Sequence, residues 1–253
     1  MAALNAVRAS GCDGRPGTQF GFEQSAQLIE AAKRLALGVP LRDALGEAGY
    51  RAVRSSVLQL SGDPREQSVV SFAAKNACAG LIDPELRDIG IFQQARVTWI
   101  ILAAPFAPPA ADAADAVAAR VLELVNQARA QARVCGRKPL AAAGRLALNV
   151  RLSEASQGHA ADMAQHGYFA HKGRDGSTPA ERATRAGYRW RSVGENIASG
   201  PTRPEKVVAG WLGSPPHCAN LMAPQFTEMG VAYSVNRASR AGIYWVQLFG
   251  TPR

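Results

Sequence analysis

The chain repeats itself, and an internal repeat constrains a fold more than any single motif. The stretch CAGLIDPELRDIGI (78–91) lies over CANLMAPQFTEMGV (218–231), with Cys, Ala, Leu, Pro and Gly at matching places. AGYRAVRSSVLQLSG (48–62) lies over AGYRWRSVGENIASG (186–200). LNAVRASGC (4–12) matches LVNQARAQARVC (124–135) and keeps an Asn-x-x-Arg spacing as Asn5/Arg8 and Asn126/Arg129. TWIILAAPF (98–106) is set over YWVQLFGTP (244–252), which puts Trp99 over Trp245. Four blocks in one order predict two copies of one domain: residues 1–107, then a Pro/Ala linker at 108–112, then residues 113–253.

Periodicity and turn chemistry give the second copy its elements. Helices are expected at 113–133, 148–166, 178–186 and 204–213, with strands at 193–198, 227–235 and 243–250 and a turn at 214–224. Ser177 or Thr178 is the cap for the third helix, whose Pro179 needs no N–H partner at its position. NRASRAG (236–242) is a loop length suited to an antiparallel hairpin. The reading is α+β: a small, mostly antiparallel sheet between helices in each copy.

The cysteines, Cys12, Cys78, Cys135 and Cys218, form no CxxC pair. Four cysteines allow three pairings. Only Cys12–Cys78 with Cys135–Cys218 gives both copies an equivalent internal bridge. Each closes roughly 65 to 85 residues, a stabilisation of about 4 kcal/mol in the chain-entropy model. Such bridges belong to an oxidising compartment.

The net charge of +9 is uneven. Residues 1–108 hold 11 Lys and Arg against 10 Asp and Glu, whereas residues 109–253 hold 18 against 10. No basic block or aromatic stripe points to a specific nucleic acid; an anionic envelope component is the partner class this charge allows. No run is apolar enough to cross a bilayer, and MAALNAVRAS shows no signal-peptide pattern.

The copies differ in chemistry. Val57 stands in the place of Glu195, Leu58 in that of Asn196 and Ala77 in that of His217. All the histidines, His159, His166, His171 and His217, belong to the second copy. A fold that accepts Val57 does not need Glu195 for stability, so Glu195 is expected to line a site. His159 is placed at a cleft edge and His166 on the helix surface or in helix packing. Asp175 is expected to be a turn residue that pairs with Arg182 and pins its loop. Trp99, Trp211 and Trp245 are expected in the core or a cleft wall, and Trp190 at the surface.

The second copy also resembles a known family. HAADMAQHGYFAHKGRDGSTPAERATRAGY (159–188), GENIASG (194–200), VVAGWLGSPPHCANLMAPQFTEMGVAY (207–233) and YWVQLFG (244–250) are similar to the CAP superfamily: cysteine-rich secretory proteins, antigen 5 and pathogenesis-related proteins, with the SCP domain. The match is to its bacterial branch, and the first copy resembles a degenerate member through the repeat. The resemblance implies an α-β-α sandwich, usually secreted, with a cleft lined by two histidines and acidic residues. By that resemblance His171, Glu195 and His217 are the cleft positions and the candidate metal ligands, commonly for weakly held zinc. Animal and plant members carry a second glutamate where WLGS (211–214) has Ser214.

Two imidazoles and a carboxylate make an open zinc site chemically reasonable, although no HExxH fixes two ligands on one helix. Ser214 precedes His217 by a Pro-Pro turn, which is no nucleophile elbow. The expected protein is an exported, secreted or periplasmic binding module, its cleft taking a small or lipid-like ligand or a divalent metal at His171, Glu195, His217, Asn196 and Ser214. The alternatives are a zinc-dependent hydrolase of peptide or envelope polymer with Glu195 as base, and a purely structural envelope module. An enzyme is the less favoured class.

Overall fold

In the computed structural model, which describes residues 1–62 and 65–253, the chain forms two compact units, Met1–Phe106 and Ala107–Arg253. The first runs α1 (Ala2–Ser10), β1 (Glu23–Gln24), α2 (Ala26–Ala36), α3 (Leu41–Glu47), β2 (Ala52–Ser61), α4 (Glu66–Asn76), α5 (Cys78–Leu81), β3 (Asp88–Gln94) and β4 (Val97–Pro105). The second starts with a 3-10 turn at Ala111–Ala113. It continues through α6 (Ala114–Arg129), β5 (Arg133–Cys135), β6 (Lys138–Leu140), β7 (Ala147–Leu148), α7 (Val150–His166), α8 (Pro179–Arg185) and β8 (Trp190–Ser199). It ends with α9 (Pro204–Gly213), α10 (Pro215–Met222), β9 (Glu228–Val235) and β10 (Ile243–Pro252).

Each unit is an α-β-α sandwich. The sheets share one order, β1-β3-β4-β2 and β7-β9-β10-β8, with a short parallel pair at one edge and antiparallel pairing elsewhere. Strand alternation fills both sides of the sheet. In the first unit, Ile101 and Ala103 of β4 pack on Leu28, Ala31 and Ala32 of α2 and Ala44 of α3. Ile100 and Leu102 face Leu4, Val69, Ala73 and Leu81 of the opposite helices. In the second, Tyr244, Val246 and Leu248 pack on Leu152, Met163 and Ala183.

The motifs common to both copies are structural. Arg129 is fully buried; its Nε donates to Gly144 O at 2.6 Å, Nη1 to Leu221 O at 2.6 Å and Ala223 O at 3.0 Å, and Nη2 to Phe226 O at 3.1 Å. Arg8 repeats this on Phe20 O, Leu81 O and Asp83 O at 2.5, 2.5 and 2.9 Å. Asn5 and Asn126 accept from the N–H of Phe22 and Leu146 at 2.7 and 2.8 Å. Tyr50 donates to Asp88 and Tyr188 to Glu228, at 2.8 and 2.6 Å. Gly90 and Gly230 let a helix lie directly on the sheet: a Cβ there would stand 2.2 Å from Leu28 C and 2.1 Å from Leu152 C. Disulfides Cys12–Cys78 and Cys135–Cys218 occupy equivalent places, with Cα separations of 5.8 and 5.5 Å.

Three sequence expectations change. Val57 pairs with Ile101 and Glu195 with Leu248, so the last strands align one residue further on than the Trp99/Trp245 match allows. A slip of one residue reverses every side chain; Trp99 is the counterpart of Val246, and Thr98 that of Trp245. The expected helix 113–133 ends at Arg129, and Arg133–Cys135 instead hairpins with β6 about Gly136, which has φ 66°. The expected turn at 214–224 is mostly helix α10, because Pro215 and Pro216 occupy the first turn, where no N–H is needed.

Candidate functional site

The connection between α7 and α8, residues 167–178, is far longer than its counterpart at 37–40 between α2 and α3. Gly167, with φ 66°, ends α7 in the left-handed region. Asp175 Oδ1 accepts the Ser177 N–H at 2.9 Å, and Gly173 N–H donates to Ser177 O at 2.8 Å, closing a tight turn. Thr178 and Glu181 then form a capping box around Pro179. The loop thereby carries His171 to β8.

Glu195 is the centre of the site. Its side chain is 2% exposed, and both oxygens are engaged: Oε2 accepts from Arg182 Nη2 at 2.6 Å and Oε1 lies 2.8 Å from His171 Nδ1. A carboxylate only accepts, so Nδ1 is the donor of this pair and Nε2 is the ring nitrogen left for another partner. The His171 side chain is 53% exposed. Arg182 also donates to Ser177 O at 2.9 Å and His171 O at 3.0 Å, so one guanidinium fixes the carboxylate and the loop together.

On the other face of β8, Asn196 Nδ2 donates to His217 O at 3.2 Å and Gln247 Oε1 at 3.3 Å. Asn220 Nδ2 donates to Asn196 Oδ1 and to Glu195 O, both at 3.1 Å. This buried layer holds the start of α10, and with it His217, against the strand. Burial, with His171 nearby, keeps the His217 imidazole below its ordinary pKa and favours the neutral ring. Ser214 joins α9 to α10 and its main-chain oxygen accepts from Cys218, but its side chain makes no cap bond and does not join Glu195.

The donor set fits a catalytic zinc poorly. Such sites use three protein ligands and an open position. Here both Glu195 oxygens are committed, which leaves two imidazoles. Among the described residues no group of three or more His, Cys, Asp or Glu is arranged to hold a metal ion.

The remaining polar residues sort differently from the sequence reading. Asp175 pairs with Arg185, not Arg182, because Arg182 points inward from α8 while Arg185 faces solvent. His159 is buried with Nε2 2.9 Å from Ala170 O, and burial first, then Arg182, lowers its pKa. His166 pairs with Asp162 on the helix surface. Trp211 and Trp245 are fully buried, and Trp99 and Trp190 partly so. Sequence reasoning missed the roles of Arg182, Asn220 and Gln247. Comparing the copies could have found them, since their counterparts are Ala44, Gly80 and Ile100.

Comparison with known proteins follows this geometry. The family model described as "Cysteine-rich secretory protein family" (CAP) matches residues 122–249. YkwD of Bacillus subtilis (strain 168) is 32% identical over 130 residues, 51% of this chain and 45% of its own, so the chain spans less than half that relative. The crystal structure of Na-ASP-1 overlaps 100% of this chain and 86% of its own with a TM-score of 0.61 at 11% identity, a likeness of fold. An extracellular SCP-domain protein from Bacillus anthracis str. Ames overlaps 83% of this chain and 70% of its own, with a TM-score of 0.47 at 16% identity.

Proposed function

Because the chain belongs to the cysteine-rich secretory protein (CAP) family, we propose that it is an exported binding protein whose second unit holds a small or lipid-like ligand by a polar head group at His171 and His217, with Glu195 positioning His171. The two disulfides support export, since such bridges persist in oxidising compartments. The first unit is its scaffold.

One observation carries this reading. The first unit keeps the buried arginine, the asparagine, the tyrosine pair, the packing glycine and the disulfide of the second. It replaces Arg182, Glu195, Asn196, His217, Asn220 and Gln247 by Ala44, Val57, Leu58, Ala77, Gly80 and Ile100. Buried polar groups cost free energy unless fully paired, and the apolar set shows that the fold does without them. Their use is therefore at the surface they support: the half-exposed ring of His171 and the His217 ring, two sites for a polar head group. The zinc-hydrolase alternative is not favoured, because Glu195 is buried with each oxygen already held by a neighbour.

Calorimetric titration of metal-stripped protein with palmitate, and separately with zinc chloride, tests the proposal. Palmitate binding that disappears in His171→Ala/His217→Ala supports it. Submicromolar zinc binding lost in that variant would replace it with a metal site. Binding of neither would leave a structural module.

A further inference from the structure

A pocket of about 670 Å³ opens at the other end of β8, lined by Thr184, Gly187, Tyr188, Arg189, Trp190 and Arg253. Trp190 packs against the hydrophobic core of the second unit while also lining this pocket. Its ring is fixed: Nε1 donates to Thr184 Oγ1 at 2.9 Å, and that hydroxyl donates to Ala180 O at 2.9 Å. Arg253 is held by its Nε on Trp190 O at 2.9 Å, which leaves both terminal nitrogens of the guanidinium for another partner. Arg151 adjoins through Nη1 on Gly187 O at 2.5 Å.

These arginines are tethered to carbonyls, so their charges are not neutralised. Among the described residues the pocket lining holds no acidic side chain. Glu228, the carboxylate bonded to the lining residue Tyr188, is engaged by it and by Asn149. Even with a free α-carboxylate at Arg253 counted against them, the guanidiniums of Arg151, Arg189 and Arg253 leave the rim positive. The first unit closes the same place on itself: Arg51 lies 4.3 Å over the Phe106 ring, Ala52 replaces Trp190, and the Phe106 N–H to Arg51 O bond repeats that of Arg253 to Arg189.

We propose that this pocket binds an acidic saccharide, a sugar ring stacked on Trp190 and its carboxylate met by Arg189 and Arg253. A fixed aromatic face beside unpaired guanidiniums also suits single-stranded nucleic acid. The disulfides favour the saccharide, since they belong to an oxidising compartment. The site is independent of the His171 cleft and does not rest on its reading.

Calorimetry with trigalacturonate, chitotriose and a short oligo(dT) tests it. Expected are binding of trigalacturonate, none of the neutral chitotriose, and weaker binding of oligo(dT). Arg189→Gln/Arg253→Gln, which changes only exposed side chains, weakens trigalacturonate by about tenfold or more, the usual effect of losing charged hydrogen bonds. Trp190→Ala weakens it by about tenfold as well. The proposal fails if trigalacturonate does not bind, if oligo(dT) binds as tightly, or if the double arginine variant is unchanged. If the arginine variant loses binding while a folded Trp190→Ala does not, the attraction is charge alone and the saccharide site is also overturned.

Discussion

Arg182 Nη2 and Glu195 Oε2 lie 2.6 Å apart, with 9% and 2% of their side chains exposed. The corresponding residues of the first unit, Ala44 and Val57, show that the sandwich forms with neither charge. Removing one member of a buried pair strands the other, which costs about 3–5 kcal/mol, whereas replacing both by apolar groups is often neutral. Arg182→Ala is therefore expected to destabilise the second unit strongly. Adding Glu195→Val should recover a large part of that loss. Urea unfolding of the single and double variants measures it, and additive losses would show that the two side chains are not coupled.

The layer behind the pair makes a related prediction. Asn196→Leu copies Leu58 but takes the donor away from Gln247 Oε1 and His217 O, while Asn220 keeps Glu195 O, at a cost of about 1–3 kcal/mol for each stranded group. Asn196→Leu/Asn220→Gly/Gln247→Ile copies the whole first-unit layer and should unfold at higher urea than Asn196→Leu alone. Equal midpoints would mean that water satisfies the stranded oxygens.

His159 sets a pH dependence. Burial lowers its pKa in the folded state from the ordinary 6.5, so the folded protein holds it neutral while the unfolded chain takes up a proton as pH falls. Its contribution to stability is complete above about pH 6.5 and is lost progressively below that, toward the depressed folded value. His217, shifted in the same direction, adds to the same slope. Urea midpoints between about pH 7 and pH 5 should fall for the wild type and fall less for His159→Gln.

The tandem architecture was legible because each copy repeats the residues that solve the same backbone problem. Asn126 and Arg129 satisfy turn carbonyls and amides, and Gly230 admits a helix against the strand. Where the chemistry is local, the sequence reads well: Pro179, Thr178 and Glu181 mark a helix start, and NRASRAG marks a hairpin. Register was less legible, since Trp99 and Trp245 look alike but face opposite sides of their sheets. The Arg182–Glu195 pair was hidden for a different reason. Asp175 and Arg185 offer equally good charges nearby, and only the inward face of α8 decides which arginine meets the carboxylate.

The buried arginines of the two Asn-x-x-Arg motifs give a last test of the repeat. Arg129 donates to four main-chain oxygens and Arg8 to three, each from a fully buried position and with no carboxylate partner. Burial lowers both pKa values from the ordinary arginine value, yet arginine stays charged, so the carbonyls stand in for hydration. Methionine fills much of the same volume but leaves every one of those oxygens without its donor. Arg129→Met is expected to cost roughly 3 kcal/mol or more, several lost charged hydrogen bonds offset by a smaller desolvation penalty. Because the chain has two compact units, each substitution should act mainly on its own. Hydrogen exchange read by mass spectrometry is expected to show faster exchange in β3 and β4 for Arg8→Met and in β9 and β10 for Arg129→Met. Equal acceleration across both sheets in either variant would mean that the two copies unfold as one cooperative body.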